Sequence, residues 1–417
     1  MEIPPQAPPK LRVAAYVDAT EEHFEPHAVS RVDAFEKAVA AAPNLEIQAH
    51  VVRNGTSAGT KLARGLGYLA MHVAPPVLGQ AVFGLPGMLA GAAVTAYLVS
   101  KGYTLEAGKN LGGAFHQPFT TPGPFWKGTR TYEIVPDQTD GIDSKLLAQS
   151  DSTRPATPGE LSDFTTQHLE PGQTNVLYIA GHGWGPWKVA SMHTTALAGA
   201  VEKSQVKPDL VVFESCLMGN LEALSLLREH ASVAVVSEEL MVAGGLGAGQ
   251  LPIKSMLAGA AREGGTPREM GRRMVEVARQ AGVPTLAAVD LKALDGLLGE
   301  LGGLARAALK DLPTRREALR EALQASQKVP QIDHELGGTA DFADLGDFLK
   351  RLKALGLPAD EALQALGKAV LAHTAGPGNE ATTGLSFCTR IPKGGEVIYA
   401  GLPLPESFRT LVGELTA

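Results

Sequence analysis

Two segments of the chain place reactive side chains at the ends of short apolar runs. The first, Tyr178–Trp184, reads YIAGHGW and contains His182, and the second, Val211–Gly219, reads VVFESCLMG and contains Cys216. Such runs are typical of buried parallel strands. Because the carboxyl ends of neighbouring parallel strands meet at one edge of a sheet, we expect the imidazole and the thiol to lie close together. A thiol beside an imidazole indicates nucleophilic acyl transfer through a Cys-His dyad.

The elements that must position these residues can be predicted from apolar periodicity. A strand over 12–17, a helix with apolar residues recurring over 29–39 and a strand over 47–52 form a β-α-β unit. Further strands are predicted at 131–135, 175–179, 210–213, 233–237 and 285–290. The alternation predicts a parallel sheet with helices on both faces.

The last third of the sequence predicts a helical portion with closing strands. Asp290 and Asp341 are reasonable N-caps there. The amphipathic stretches lie near 291–311, 315–328, 341–355 and 359–373, and the closing strands at 384–388 and 396–399. Asp341, Asp344 and Asp347, spaced by three, are predicted to share one side of a helix as solvated or capping residues rather than as metal ligands.

Three short motifs resemble those of clostripain-like cysteine peptidases, a family within the caspase-like group. In order they are His182-Gly183 with Trp184 close behind, Glu214-Ser215-Cys216-Leu217-Met218, and Ser237-Glu238-Glu239-Leu240. The resemblance runs from residue 11 to about residue 392, with one insertion. It implies a caspase-like α/β/α sandwich with a mostly parallel central sheet, and a cysteine endopeptidase that forms a thioester acyl-enzyme.

The resemblance also suggests how the motifs would divide the chemistry. Cys216 would be the nucleophile and His182 the general base and acid, with a helix beginning after Cys216 to favour the thiolate. Gly183 lacks a Cβ, so its backbone N–H could form an oxyanion hole with the N–H of Cys216. No residue that would orient the imidazole can be recognised. A catalytically silent scaffold is the alternative, and intact His182, Gly183 and Cys216 argue against it.

Substrate specificity is predicted from the residues around the nucleophile. Glu214 lies two residues before Cys216, which on a strand places both on one face. By resemblance Glu214 lies at the base of the S1 pocket and favours arginine or lysine at P1, although a second family acid is replaced by Gly244. Ser237 and Glu238 are also assigned to substrate binding. For Glu238, as for Glu222, a structural ion-pair role is the favoured alternative.

Composition limits the partners and the compartment. The chain has 417 residues, 19% of them charged, with a net charge of −7, which excludes the basic face of a nucleic-acid binder. Only Cys216 and Cys388 are cysteines, so no disulfide framework exists and a reducing compartment is suitable. The first residues lack the basic and apolar regions of a secretory signal, which predicts a cytoplasmic protein. Abundant Ala, Gly and Leu suit a bacterial source. The predicted partner is a protein or peptide substrate.

An insertion separates the first β-α-β unit from the rest of the core. No Asp, Glu, Lys or Arg occurs in residues 65–100, so this stretch must be covered by the protein, a partner or a membrane. A lid, an oligomer contact and a membrane-binding segment are the alternatives. The last would make the chain a membrane-acting effector that the peptidase core controls. The predicted organisation is a disordered arm (1–10), a peptidase core (11–54 and 128–290), the insertion (55–127) and a helical C-terminal portion (291–417).

Metal chemistry has little support in the sequence. No EF-hand spacing and no zinc motif occurs. Calcium enters only through the resemblance to clostripain, and the chemistry itself is predicted to need no cofactor.

Overall fold

The computed structural model describes residues 10–20, 25–54, 126–139, 141–241, 251–333 and 339–417. The predicted N-terminal arm to residue 9, residues 55–125 of the predicted insertion and Gly244 lie outside these residues.

The strands of the described part alternate with helices along most of the chain. In chain order the strands are β1 (Leu11–Ala19), β2 (Leu45–Arg53), β3 (Gly128–Glu133), β4 (Lys145–Ser150), β5 (Thr174–Ala180), β6 (Lys188–Val189), β7 (Met192–His193), β8 (Leu210–Glu214), β9 (Val233–Val236), β10 (Thr285–Asp290), β11 (Lys328–Asp333), β12 (Thr339–Asp344), β13 (Val370–Ala375) and β14 (Ser386–Arg390).

The helices vary in length from five to 32 residues. In chain order they are α1 (Glu25–Ala41), α2 (Pro158–His168), α3 (Thr194–Lys203), α4 (Leu221–Leu227), α5 (Ile253–Glu263), α6 (Pro267–Gln280), α7 (Leu294–Ala325), α8 (Leu345–Ala354), α9 (Asp360–Ala369), α10 (Glu396–Ala400) and α11 (Glu406–Thr416). Of these described helices, none is long and apolar enough to cross a membrane.

The central sheet of the described residues has nine strands in the order β13-β10-β9-β8-β5-β1-β2-β3-β4. The five strands from β9 to β2 are mutually parallel. Two further strands flank them on each side, and each of these is paired antiparallel to its neighbour. The parallel centre brings the carboxyl ends of β5 and β8 side by side, as the sequence predicts.

Alternating side chains of the sheet build a separate apolar core on each face. On β8, Val211 and Phe213 pack on one side with α2, α3, α4 and the C-terminal helices. Leu210 and Val212 pack on the other side with α1, α5 and α6. The predicted α/β/α sandwich is thereby confirmed.

The C-terminal portion differs from the sequence prediction in several elements. The stretches predicted at 291–311 and 315–328 form one 32-residue helix, α7, that contains Pro313. Leu312 and Leu319 on either side of the proline are buried, so packing overrides the break. Residues 370–375 continue from a helix into β13 of the central sheet, and the strand predicted at 396–399 is α10.

Of the two predicted helix N-caps, Asp290 is confirmed and Asp341 is wrong. Asp290 accepts a hydrogen bond from the N–H of Lys292 at 3.0 Å and caps the short 3₁₀ turn that precedes α7. Asp341, in contrast, lies in β12, and the cap of α8 is Asp344, which accepts from the N–H of Asp347 at 2.7 Å. The three aspartates therefore do not share a helix side, because the chain is extended until residue 344.

Candidate active site

The backbone of Gly183 lies against the backbone of Cys216. The N–H of Gly181 donates to the carbonyl of Glu214 at 3.3 Å, which joins the ends of β5 and β8. Two residues further on, a Cβ added to Gly183 would lie 1.9 Å from the carbonyl oxygen of Cys216 and 2.8 Å from its nitrogen. Only glycine permits so close an approach. The structure therefore brings together the two motifs that the sequence places at neighbouring strand ends.

The loop that carries His182 is fixed by a small hairpin. The carbonyl of His182 accepts from the N–H of Ala190 at 2.7 Å, and the N–H of Trp184 donates to the carbonyl of Lys188 at 2.8 Å. The half-buried imidazole stacks on the indole of Trp184, with ring centroids 4.2 Å apart and planes inclined by 12°. This stacking restricts the orientation of the imidazole ring.

The C-terminal portion supports this loop from behind. Trp187 is completely buried, and its indole N–H donates to the carbonyl of Gly395 at 3.4 Å. Its ring packs edge-on against Phe342 of β12, with centroids 6.1 Å apart. The position of the His182 loop therefore depends on β12 and on the segment before α10.

Cys216 lies in a tight turn after β8. The next residue, Leu217, has a left-handed backbone with φ of 59°. The N–H of Leu217 donates to the carbonyl of Glu239 at 3.1 Å, and the N–H of Gly219 donates to the carbonyl of Ser237 at 2.7 Å. The segment after β9 thus holds a strained turn in place, as is common at functional sites.

The helix after Cys216 begins five residues beyond it. Helix α4 begins at Leu221, with Asn220 as its cap accepting from the N–H of Ala223 at 2.7 Å. Cys216 lies more than a turn before this helix, and the dipole effect decays within the first turn. Stabilisation of the thiolate by the amino end of this helix therefore stays a prediction.

The thiol itself is covered. Cys216 is 8% exposed, and its Sγ accepts from the N–H of Met241 at 3.2 Å. Burial raises the pKa of the Cys216 thiol, and the Met241 contact offsets only part of that effect. The resting form is therefore the neutral thiol, which needs a base before it can attack.

The backbone N–H of Gly183 has the freedom that an oxyanion-hole donor needs. Gly183 and Val189 lie opposite each other in an isolated antiparallel bridge, and the hydrogen bonds of this bridge are made by His182 and Trp184. No acceptor among the described residues therefore takes the N–H of Gly183. It stands next to the backbone of the candidate nucleophile, where a tetrahedral oxyanion would form.

Glu214 does not share a face with Cys216. Its carboxylate forms an ion pair with Arg31 of α1 and accepts a hydrogen bond from the hydroxyl of Tyr178. Both contacts lie on the sheet face that Val212 and Tyr178 occupy, whereas Cys216 packs on the opposite face. Strand alternation ends at Glu214, because the chain turns at Ser215. The prediction that Glu214 shares a face with Cys216 is therefore wrong, and its carboxylate is paired within the protein.

Ser237 and Glu238 support the catalytic turn from inside the protein. The hydroxyl of Ser237 contacts that of Thr285 at 2.7 Å, and Glu238 accepts from the N–H of Gly384 at 3.1 Å. Both residues are at most 2% exposed. Burial and the neighbouring Asp344 raise the pKa of Glu238 well above its usual value, so Glu238 is the protonated partner of this acid pair. We therefore assign Ser237 and Glu238 a supporting role in place of the predicted substrate contact.

Glu222 has a structural role, but among the described residues its partners are hydrogen-bond donors and not the cation of the predicted ion pair. It is fully buried, and it accepts from the N–H of Cys388 at 2.9 Å and from the hydroxyl of Tyr399 at 3.4 Å. Burial raises the pKa of Glu222 to about 7. Helix α4 is thereby tied to β14 and α10.

Within the described ranges, no three His, Cys, Asp or Glu side chains cluster as a metal ion would require. The absence of a cofactor requirement stays a prediction, as does any use of calcium.

No protein-family model matches the chain, and no curated protein matches it by sequence. Solved structures do match. An inactive zymogen of a C11 protease from Parabacteroides distasonis is similar with a TM-score of 0.59 at 12% identity, over 98% of this chain and 99% of that chain. A secreted C11 cysteine protease from Bacteroides thetaiotaomicron, "iotapain", is similar with a TM-score of 0.55 at 12% identity, over 97% and 100% of the two chains.

A secreted C11 cysteine protease from Bacteroides thetaiotaomicron in complex with an irreversible peptide inhibitor gives a TM-score of 0.55 at 10% identity, over 96% and 98% of the two chains. Identities this low carry the fold and not the activity. The likeness covers nearly the whole chain, so the predicted resemblance is confirmed at the level of structure: this chain has the fold of the C11, clostripain-like cysteine proteases.

Proposed function

We propose that this chain is a cysteine endopeptidase that hydrolyses peptide bonds through Cys216 and His182. The observation that carries the proposal is the contact between the Gly183 and Cys216 backbones, which brings the His182-Gly183 motif against the candidate nucleophile. The similar C11 proteases, one of them with a bound peptide inhibitor, support a protein or peptide as substrate.

The proposed reaction has two stages. His182 accepts the proton of the Cys216 thiol, and the thiolate attacks the scissile carbonyl carbon. The N–H groups of Gly183 and Cys216 stabilise the oxyanion. His182 then protonates the leaving amine as the C–N bond breaks and a thioester forms. In the second stage water, deprotonated by His182, attacks the thioester, and the thiol recovers its proton as the acid product leaves.

Because the resting thiol is neutral and covered, we expect substrate binding to rearrange the contact between Met241 and Sγ. A peptide carbonyl directed at Gly183 N–H must approach the same sulfur atom. His182, held by stacking on Trp184, would receive the proton at that moment.

The sequence prediction of a basic P1 residue is weakened by the Arg31–Glu214 pair. A carboxylate that already has a guanidinium partner and a tyrosine hydroxyl offers little net charge to an arginine or lysine side chain. A basic P1 preference therefore stays a prediction, and we propose that Glu214 is not its source. A membrane-acting role depends on residues 65–100, which lie outside the described residues, and it gains no support here.

The decisive experiment compares Cys216→Ala and His182→Ala with Cys388→Ala, a matched change at the second buried cysteine. Peptide fragments from a mixed library are quantified by mass spectrometry. We expect both dyad variants to lose activity by at least about a thousandfold and Cys388→Ala to retain it. Substantial turnover by Cys216→Ala would refute the proposed mechanism.

Iodoacetamide labelling provides a readout that does not require turnover. Burial raises the pKa of both thiols, but Cys388 is 1% exposed and lies beside Glu222, which raises its pKa further. We expect Cys216 to be alkylated faster than Cys388, and His182→Ala to slow the alkylation of Cys216 only. Equal rates at the two thiols would contradict an activated Cys216.

A further inference from the structure

A cavity lies in the C-terminal portion, against β14. Its volume is about 360 Å³, which is within the range of small-molecule sites. Its walls come from the end of α7, from β12 and β14, and from α11. The charged side chains that line it are Arg320, Lys328, Asp341, Arg390 and Arg409.

The charges of this cavity are strongly unequal. Asp341 is the single carboxylate among the lining residues, and it pairs with Arg390 at 3.1 Å. In the part of the chain that the structure describes, Lys328 and Arg409 have no carboxylate within 4 Å, and the nearest to Arg320 is the exposed Glu317 at 3.9 Å. Among the described residues, two of these cations therefore lack a carboxylate partner, and the third, Arg320, has only the exposed Glu317.

Helix capping explains only part of this arrangement. The Lys328 ammonium donates to the carbonyl of Leu323 at 3.0 Å, and Arg320 Nε donates to the carbonyl of Leu415 at 3.3 Å. Arg409 donates to the carbonyl of Ala400. Each of these bonds uses a single N–H, whereas an ammonium has three donors and a guanidinium has five. Most of the donors remain available to oxygen atoms of a ligand.

The cationic side chains of the lining suit an anion. Cys388 and Tyr399 are in the wall, and both hydrogen-bond to Glu222 behind it. Planar guanidinium groups around a cavity match the geometry of phosphate and carboxylate groups, which accept two parallel N–H bonds.

We propose that this cavity is a binding site for a small multivalent oxyanion, a phosphate-bearing or polycarboxylate molecule, held by Arg320, Lys328 and Arg409. This inference goes beyond the proposed peptidase function and does not require it. A bound oxyanion supplies a counter-charge to Lys328 and Arg409, for which the described residues offer no carboxylate within 4 Å.

The site is physically connected to the catalytic turn. Strand β14 contributes Cys388 and Arg390 to the cavity, and at its other end Ser386 donates its N–H to the carbonyl of Gly219 at 2.8 Å. A ligand that orders β14 would therefore also restrict the turn that carries Cys216.

The test measures binding of pyrophosphate and of citrate by isothermal titration calorimetry, with sodium chloride at matched ionic strength as the reference. The double variant Arg409→Gln/Lys328→Gln removes the two cations that have no carboxylate partner. The matched control, Arg262→Gln/Lys254→Gln, removes the same charges from exposed positions on α5. Comparing the two anions separates a phosphate source from a carboxylate source.

We expect at least one of the anions to bind the unmodified chain, and the cavity variant to bind it about tenfold or more weakly, since it loses charge-assisted hydrogen bonds to the anion. The control variant should bind normally. Hydrogen exchange should show ligand protection in residues 386–391 and 409–416. Equal weakening in both variants, protection elsewhere, or no binding of either anion at millimolar concentration would overturn the proposal. Circular dichroism of each variant establishes that it is folded.

Discussion

Arg31 and Glu214 form a buried ion pair that joins α1 to the end of β8, two residues before Cys216. The Arg31 side chain is 7% exposed and that of Glu214 is 12% exposed. The hydroxyl of Tyr178 completes the contacts of the carboxylate. The acid nearest to the candidate nucleophile in sequence is therefore engaged with the scaffold.

A first prediction concerns this ion pair and P1 specificity. If Glu214 does not attract the substrate, Glu214→Gln should change the ratio of cleavage after basic and neutral residues by less than about threefold. A tenfold change would correspond to about 1.4 kcal/mol of direct interaction with the substrate. A panel of fluorogenic peptides that differ only at P1 measures the ratio. Selective loss of activity on arginine and lysine substrates would instead restore the interpretation made from sequence.

The same pair makes a separate prediction for stability. Arg31→Gln leaves a buried carboxylate without its cation, which should destabilise the protein by about 3–5 kcal/mol. The matched control is Arg279→Gln, whose partner Glu276 is exposed, and its effect should be much smaller. Urea unfolding followed by circular dichroism measures both. Equal losses of stability in the two variants would show that the buried Arg31–Glu214 pair contributes no more than an exposed ion pair.

A third prediction concerns Gly183. A Cβ at this position would overlap the carbonyl oxygen of Cys216, so Gly183→Ala must separate the two motifs. Displacement by about 1 Å at a reacting centre lowers rates on the order of a hundredfold. Gly199→Ala on α3 is the control, because nothing lies within 4 Å of its added Cβ and alanine favours a helix. Peptidase activity close to normal in Gly183→Ala would contradict the proposed oxyanion hole.

A fourth prediction concerns stability and pH. Burial raises the pKa of Glu222 from 4.5 to about 7, so between these values the unfolded chain has released a proton that the folded chain keeps. Stability from this group is therefore full below pH 4.5 and falls as pH rises towards 7, by about 1.4 kcal/mol per pH unit. Glu222→Gln should remove this component of the slope, whereas exposed Glu300→Gln should not. The midpoint of urea unfolding, measured at several pH values in this range, tests the prediction. If the midpoint of Glu222→Gln has the same pH dependence as that of the unmodified chain, the Glu222 carboxyl does not stay protonated.

The parts of the fold that were predictable are those set by local pattern. Apolar runs locate the parallel strands and hence the meeting of Gly183 with Cys216. Strand β4 was missed because every residue of KLLAQS is exposed, so no alternation marks it. Asp344 was placed inside a helix because β12 precedes α8 without a turn signal.

Long-range pairing was not predictable from residue order. Arg31 falls within a helix that reads as an ordinary amphipathic segment, and nothing nearby indicates a partner 183 positions away in sequence, at Glu214. The acid pair of Glu238 with Asp344, and the cover of Cys216 by Met241, also depend on tertiary packing. The sequence therefore predicts that Glu214 contacts the substrate, whereas in the structure its partner is Arg31 of the protein itself.

The last prediction concerns the predicted insertion. Strands β2 and β3 are antiparallel neighbours with Arg53 opposite Gly128, so the chain leaves and returns at adjacent positions of one ladder. A short hairpin link can join such ends, and loop closure depends only weakly on length. Trp126 should be retained, because the guanidinium groups of Arg53 and Arg130 both lie over its ring, at 5.1 and 4.4 Å from its centroid.

Replacing residues 55–125 by a four-residue Gly/Ser link should therefore give a folded protein that still cleaves small peptides, since His182, Gly183 and Cys216 are all positioned by described elements. The same link with Trp126→Ala is the control for the closing contact, and we expect it to lower the unfolding midpoint without abolishing activity. Liposome flotation and size-exclusion chromatography then compare the deletion with the full chain, and loss of either membrane binding or self-association would assign that property to the insertion. If the deletion unfolds the protein, residues 55–125 belong to the core, and both the membrane and the partner alternatives are refuted.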